Sequence, residues 1–358
     1  MKIGIFDPYL DTLSGGEKYM LSIASCLSKE NEVFIFWDKD KEAEIRSGAL
    51  KKLGIDLSQI LFYKNIFDKN ISLAKRLIES KKFDSIVYLS DGSIPFVGAK
   101  LYIHFQFPVE HLGELSTKDK IKLSLVRKIF CNSNFTKYFI DKKLKVKSLV
   151  LYPPVQIKNR NNIKKENIIL HVGRFYEDST GANYKKQDVM IDAFRKMADA
   201  GLKNWKLVMV IGVKDKDKEK SSKFQQNAKG YSIEIIENPP DEILWANYAK
   251  AKIYWHATGF GEDLESFPEK AEHFGISTVE AMGAGAVPVV VNAGGQKEII
   301  EDGENGYLWD TLEEFIEKTN NLIKDVRLWT NMSEEAIKRS RVFSEERFCK
   351  EVKQIIEQ

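Results

Sequence analysis

The sequence predicts an α/β protein built from two doubly wound, mostly parallel sheets, and three observations predict it. Short apolar runs suited to buried strands alternate with stretches of helical periodicity along almost the whole chain. The alternation breaks at Tyr152-Pro153-Pro154-Val155 and the polar, aperiodic residues 156–167, then restarts. The 358 residues match roughly two domains of about 150 residues each. Residues 1–155 and 165–340 are therefore read as two domains built alike, with a last helix over 344–358 opened by Ser344.

Composition narrows the function classes. Hydrophobic residues make up 43% of the chain, enough for packed cores, and 55 basic residues nearly balance 52 acidic ones at a net +3. That balance, with no basic block interleaved with aromatics, argues against a nucleic-acid partner. Cys26, Cys131 and Cys349 are odd in number and far apart; no disulfide or metal spacing follows, and a reducing cytoplasm is expected. Residues 2–6 are too short an apolar run for a signal peptide, and no run approaches the ~20 residues of a membrane span.

In the first half, residues 3–6 read as a strand and 7–14 as a loop. Gly15-Gly16 then precede a helix with Tyr19, Ile23 and Leu27 at helical spacing. A glycine pair there admits a ligand close to the backbone, or simply makes a tight turn. Strand 32–37 runs into Asp38-Lys39-Asp40. An acidic pair after a strand can hold a divalent metal, but this one, like Asp215-Lys216-Asp217, stands among lysines and reads as a solvated loop; no metal is expected. A helix over 71–80 and strands over 85–89 and 101–105 continue the pattern. His104 lies near a strand end, where open α/β sheets gather active groups, and a purely structural histidine is the rival reading.

Residues 118–130 read as a basic helix carrying Lys118, Lys120, Lys122, Arg127 and Lys128. Its stripe of Ile121, Leu125 and Ile129 is expected to face the core; docking on anionic lipid is the alternative. Strand 129–133, helix 134–142 and strand 146–152 close the first half.

In the second half, strand 167–174 ends in Gly173-Arg174, and after a loop over 175–184 the residues Lys185-Lys186-Gln187 open a helix over 188–198. Lysines at a helix start oppose its dipole, so they fit better if an anion is bound there; a surface lysine pair is the plain alternative. Strand 205–212 precedes a charged insertion over 214–229, expected to be mobile. Strand 232–236, a helix over 241–250 capped by Asp241, and strand 253–256 follow.

A long loop, 258–270, leads to Glu272-His273-Phe274-Gly275-Ile276-Ser277-Thr278-Val279-Glu280. Ser277 and Glu280 have capping-box spacing, which starts a helix at Ser277 and leaves the amides of residues 275–278 aimed at an anion. The competing readings are a helix that is merely capped, and two carboxylates acting as the acid and base of a glycosidase. Strand 287–291 and a second glycine pair, Gly294-Gly295, come next, then helices over 312–324 and 327–340.

With these motifs in hand the chain resembles, over almost its whole length, the retaining GT-B glycosyltransferases of family 4, which include mannosyltransferases of glycan assembly. The resemblance is strongest at residues 272–291, Gly173-Arg174 and 185–194, and extends to His104, Gly15-Gly16 and Gly294-Gly295. It implies two Rossmann-like domains facing across a cleft, the first mainly for the acceptor and the second for a UDP- or GDP-sugar donor, with the last helix crossing back to the first domain. It implies transfer of a hexose with retention to a glycan or lipid-linked acceptor, without a metal or other cofactor, in the cytoplasm or on the cytoplasmic membrane face.

Residue by residue, Arg174 and Lys185 match the cations on the donor diphosphate, Glu272 the carboxylate on the sugar hydroxyls and Glu280 the one on the ribose. The backbone of Phe274, Gly275, Ile276, Ser277 and Thr278 matches contacts to sugar and phosphate. Gly15 and Gly16 match a phosphate contact from the first domain, and His104 a histidine near the sugar. Two departures stand out: Lys185-Lys186 replaces the usual Lys-Gly, so either lysine could serve the phosphate, and loop 258–270 is long. A nucleotide-sugar epimerase and an inactive sugar-nucleotide-binding protein remain as alternatives.

Overall fold

The computed structural model describes residues 1–13, 15–37, 41–109, 115–158, 163–175, 183 and 185–357. Ser14, the Asp38-Lys39-Asp40 pair and most of the loop read over 175–184 lie outside them. The chain divides into two compact units: Met1–Pro154 with Glu345–Gln358, and Val155–Ser344.

Unit 1 starts with β1 (Lys2–Phe6), α1 (Gly15–Ser28), β2 (Glu32–Phe36), α2 (Glu42–Gly48) and β3 (Leu61–Tyr63). It continues with α3 (Leu73–Ser80), β4 (Ser85–Leu89), β5 (Lys100–Phe105), α4 (Thr117–Ser124), β6 (Val126–Cys131), α5 (Asn134–Leu144) and β7 (Leu149–Val150). Seven described strands form one sheet in the order β3-β2-β1-β4-β5-β6-β7. The described pairings are all parallel. Such a sheet is covered on both faces, which is why strands like Ile86-Val87-Tyr88-Leu89 read as unbroken apolar runs.

Unit 2 runs β8 (Glu166–Arg174), α6 (Gln187–Asp199), β9 (Lys206–Gly212), α7 (Lys218–Gln226), β10 (Ile233–Glu237), α8 (Asp241–Lys250) and β11 (Ala251–His256). Then come α9 (Ile276–Gly283), β12 (Val287–Val291), α10 (Gln296–Ile299), β13 (Tyr307–Trp309), α11 (Leu312–Lys324) and α12 (Val326–Ser340). Its sheet order is β10-β9-β8-β11-β12-β13, again parallel. The order reverses direction between β8 and β11, and ligands of doubly wound sheets bind outside the strand ends at such a switch point. Trp255, Trp309 and Phe315 stack at the centre of the core, and Trp255 Nε1 donates to Thr319 Oγ1 at 3.0 Å.

The last helix, α13 (Glu345–Ile356), belongs to unit 1. Phe348, Val352, Ile355 and Ile356 pack into the same cluster as Tyr19, Ile23 and Leu27 of α1. Tyr102 Oη donates to the Ile356 carbonyl at 3.1 Å, and the Arg347 guanidinium to the Tyr152 carbonyl at 2.8 Å. Cys26 and Cys349 form a disulfide with their Cα atoms 5.1 Å apart, which corrects the expectation of no disulfide. A separation of 323 residues gave no hint of it. Cys131 is a free, buried thiol that burial pushes up to about 12.

Other expectations are corrected. The basic helix ends at Ser124, and Arg127, Lys128 and Ile129 belong to β6. Its stripe does not face the core: Ile121 is 53% and Leu125 61% exposed, and only Ile129, on the strand, is buried. Residues 214–229 are not a loose insertion. They form a 3-10 turn and α7, whose Phe224 enters the core and whose Ser221 Oγ donates to Glu237 Oε1 at 2.5 Å. Pro240, not Asp241, is the N-cap of α8, with no side-chain cap. The strand read over 146–152 shrinks to Leu149–Val150.

Candidate active site

The site is assembled in unit 2 from the carboxyl ends of β8 and β11 and the starts of α6 and α9. Arg174 ends β8 and is exposed. Gln187, the first residue of α6, is fully buried. Its amide Nε2 donates to the Arg174 carbonyl at 3.2 Å and faces His171 Nε2 at 3.4 Å. This ties the helix start to the strand end. Asn183 closes the turn, donating to Gln187 Oε1 and accepting the Lys185 amide, both at 3.0 Å.

The two lysines then separate. Lys185 Nζ reaches Glu272 Oε2 at 2.9 Å. Lys186, in the left-handed region at φ 53, turns to Glu262 Oε1 at 2.6 Å, and Glu262 takes Lys270 on its other oxygen at 2.8 Å. Hydrogen bonds from these two cations hold the Glu262 carboxyl below its ordinary value. The long loop thus engages Lys186, while Lys185 alone meets Glu272.

His256, at the end of β11, places Nε2 3.2 Å from the same Glu272 oxygen and 3.2 Å from Thr258 Oγ1. A carboxylate only accepts, so His256 Nε2 carries the proton. Burial keeps His256 below its ordinary pKa and therefore neutral, although Glu272 pulls the other way. His171 is pushed down to about 3 by burial and by its neighbour His256; its Nδ1–H donates to the Trp255 carbonyl at 3.0 Å. For Glu272, burial works to raise the pKa, but Lys185 and His256 outweigh it and hold the carboxyl well below the usual range. A group held ionised in this way cannot serve as the general acid of a glycosidase. Glu272 Oε2 is shared by two donors, which leaves Oε1 to accept from a ligand.

The helix start corrects the capping-box expectation. α9 begins at Ile276 with Gly275 as N-cap at φ 121, and no side chain caps it. Ser277 Oγ instead accepts from Tyr254 Oη at 2.8 Å, and Glu280 Oε2 from Tyr248 Oη at 2.9 Å. The Thr278 amide is also not available to an anion, because it donates to the Gly275 carbonyl at 3.0 Å. Phe274 is buried with its ring 5.3 Å from that of Phe343, so its side chain serves packing. At the far end of α9, Lys165 Nζ donates to the carbonyls of Ala284 at 2.6 Å and Ala251 at 2.7 Å; burial lowers this ammonium to about 7.

Two glycines are fixed by close approach. A Cβ on Gly173 would stand 3.0 Å from His171 Nε2. One on Gly295 would stand 2.4 Å from Phe274 Cα and 2.6 Å from the His273 carbonyl, while the Gly295 amide donates to the Glu272 carbonyl at 2.7 Å. Backbone cannot yield as a side chain does. Gly295→Ala is therefore expected to cost about 3 kcal/mol, the upper end of ordinary overpacking. Denaturant unfolding checks it; an unchanged midpoint would show that the 272–274 backbone moves freely.

In unit 1, Gly15 and Gly16 lie inside the first turn of α1 rather than before it. The space a Gly16 Cβ would need is filled by the Gln106 side chain, 2.5 Å away. His104 is fully buried between Tyr19 (ring centroids 4.2 Å) and Phe130 (4.9 Å). Its Nδ1–H donates to the Phe130 carbonyl at 3.2 Å, and burial pushes it down to about 3. At neutral pH the ring is therefore neutral and carries only its Nδ1 proton. Among the described residues no group of His, Cys, Asp and Glu is arranged to hold a metal.

Sequence reasoning missed His256, Gln187, Asn183 and the tyrosines Tyr248 and Tyr254. His256 was findable: it too ends a strand, the argument applied to His104.

Two Rossmann-like parallel sheets of this order define the GT-B fold, and solved structures match it. A glycosyltransferase from Rickettsia africae ESF-5 superposes with a TM-score of 0.72 at 15% identity, covering 99% of this chain and 98% of that one. Anabaena Alr3699/HepE in complex with UDP gives 0.70 at 18% identity, covering 99% of each. The family profile of the glycosyl transferases group 1 matches residues 155–339. The chain belongs to that family.

Among curated relatives, the GDP-Man:Man(3)GlcNAc(2)-PP-Dol alpha-1,2-mannosyltransferase of Dictyostelium discoideum is 24% identical over 328 residues, 85% of this chain and 60% of that protein. Its namesake from Xenopus laevis is 25% identical over 216 residues, 54% of this chain and 41% of that protein. The chain thus spans about half the length of these relatives.

Proposed function

We propose that the protein transfers a hexose, with retention, from a nucleotide-sugar donor to a glycan or lipid-linked acceptor. The observation that carries this reading is the Lys185–Glu272–His256 cluster at a sheet switch point, with Arg174 ending the neighbouring strand and α9 starting beside it. Breaking a sugar–diphosphate bond leaves negative charge on phosphate and positive charge on the ring. Arg174, Lys185 and the first amides of α9 meet the former. This cationic set does the work a metal does in other phosphate sites, so transfer is proposed to need no metal. Glu272 Oε1 accepts from a sugar hydroxyl, and Glu280 from the ribose. No side chain is positioned as a nucleophile in this proposal; the departing phosphate takes the proton of the attacking acceptor hydroxyl, on the face it leaves.

GDP-mannose is the first donor to test, because the curated relatives' names carry it; UDP-sugars follow, since UDP is bound by a structural neighbour. The setting proposed is the cytoplasmic side of a membrane. No helix among the described residues is long and apolar enough to cross one. A donor at 100 times its dissociation constant is expected to add about 2.7 kcal/mol of stability. Melting scans with GDP- and UDP-sugars check this, followed by acceptor-dependent release of nucleotide. A melting point that no nucleotide sugar moves would sink the reading; a shift without transfer to any acceptor would mark a binding protein instead.

A further inference from the structure

Unit 1 carries a charge pattern that the site does not use. Residues 117–147 hold ten lysines and arginines against two aspartates, in a chain whose net charge is only +3. The remainder of the chain is therefore net acidic, and the basic residues are concentrated in α4, β6, α5 and the link to β7. Strands β5, β6 and β7 are sheet neighbours in chain order. Right-handed crossovers then put α4 and α5 on the same face of the sheet. Leu123 of α4 packs on the cluster that contains Ile140 and Leu144 of α5. Each helix runs back against its strands. Leu125 and Arg127 after α4 therefore reach the same end of the sheet as Lys142, Lys145 and Lys147 at the end of α5.

Apolar side chains stand exposed among these cations. Ile121 on α4 and Leu125, the C-cap one turn further on, are 53% and 61% exposed, and Tyr138 on α5 is 53% exposed. No residue of α4 is buried. Some lysines have internal partners: Lys122 pairs with Asp119, Lys137 with Asp141, and Lys143 donates to the Val109 carbonyl. Lys118 and Lys120 are exposed beside Ile121.

We propose that the outer face of α4 and α5 docks the protein on an anionic lipid bilayer. Lys118, Lys120 and the cations after α5 meet the headgroups, while Ile121, Leu125 and Tyr138 enter the headgroup–acyl boundary. Charge complementarity names an anionic partner, and the apolar residues select lipid: a soluble polyanion would satisfy the lysines but leave Ile121 and Leu125 in water. The surface deepens the membrane setting proposed above. It lies within unit 1, whereas the donor residues proposed for phosphate and sugar hydroxyls lie in unit 2, so the two readings fail separately.

The test is sedimentation with phosphatidylcholine vesicles, with and without phosphatidylglycerol, at low and high salt. The protein is expected to bind the anionic vesicles and to be released by salt. Lys118→Glu with Lys120→Glu, and separately Ile121→Ser with Leu125→Ser, should each weaken binding at least about tenfold. Donor-induced melting shifts should be unchanged in both variants, since the altered residues are exposed. Equal binding to neutral vesicles, or none to anionic ones, overturns the proposal. Loss with the lysine reversals but not with the serine variant, together with competition by heparin, would reassign the face to a soluble polyanion.

Discussion

Lys185→Ala is expected to lower kcat/KM by about 30- to 1000-fold, which corresponds to about 2–4 kcal/mol of transition-state stabilisation for one charge-stabilising donor. The change does two things. It removes a cation proposed for the leaving phosphate, and it leaves Glu272, only 24% exposed at its side chain, with His256 as its remaining partner. The pH profile separates these effects. In the native protein Lys185 and His256 outweigh burial and keep Glu272 well below the usual carboxylate range, so it stays ionised far below neutrality. Without Lys185 the burial contribution gains, the carboxyl pKa rises, and protonation begins at a higher pH. The proposed transfer activity of the variant should therefore fall on mild acidification, over a range where that of the native protein is flat. Unchanged turnover would exclude Lys185 from the phosphate, and an unchanged acid limb would show that Glu272 does not depend on it.

Cys349→Ser should cost unit 1 about 4–5 kcal/mol, because the Cys26–Cys349 bond closes a loop of 323 residues and loop-closure entropy grows slowly with length. The effect should appear as a lower denaturant midpoint for the transition reported by unit 1, and reductant should lower the native protein's midpoint by a similar amount. Thiol counting in denaturant gives an independent check: one reactive thiol, Cys131, before reduction and three after it. Three thiols before reduction would refute the bond.

Much of this architecture was readable because a parallel sheet covered on both faces forces its strands to be apolar throughout. Runs such as 85–89 and 287–291 satisfy no amphipathic helix pattern, and both are strands as read. Short elements escaped for the opposite reason. β3 and β13 have three residues each, and α2 has seven, too few for a period to show. The boundary between α4 and β6 was missed because lysines punctuate both, and nothing in 118–130 breaks a helix as glycine or proline would.

In the site, the charged residues were legible and their partners were not. Lys185 opposing a helix dipole pointed to an anion; its contact with Glu272 across 87 residues of sequence is a product of the fold. The capping-box reading failed because Tyr248 and Tyr254 claim Glu280 and Ser277, and those tyrosines sit on α8 and β11, outside any local window.

The placement of α13 has a consequence for biosynthesis. Domains tend to fold as units during synthesis, with those completed earlier folding first. Here β1 leaves the ribosome before any of Val155–Ser344, but Phe348, Val352, Ile355 and Ile356, which seal its unit, are made after all of that stretch. The later-starting unit is thus the first able to finish. The nascent first unit must wait with the apolar side of α1 uncovered, at the stage when chaperones have most to hold.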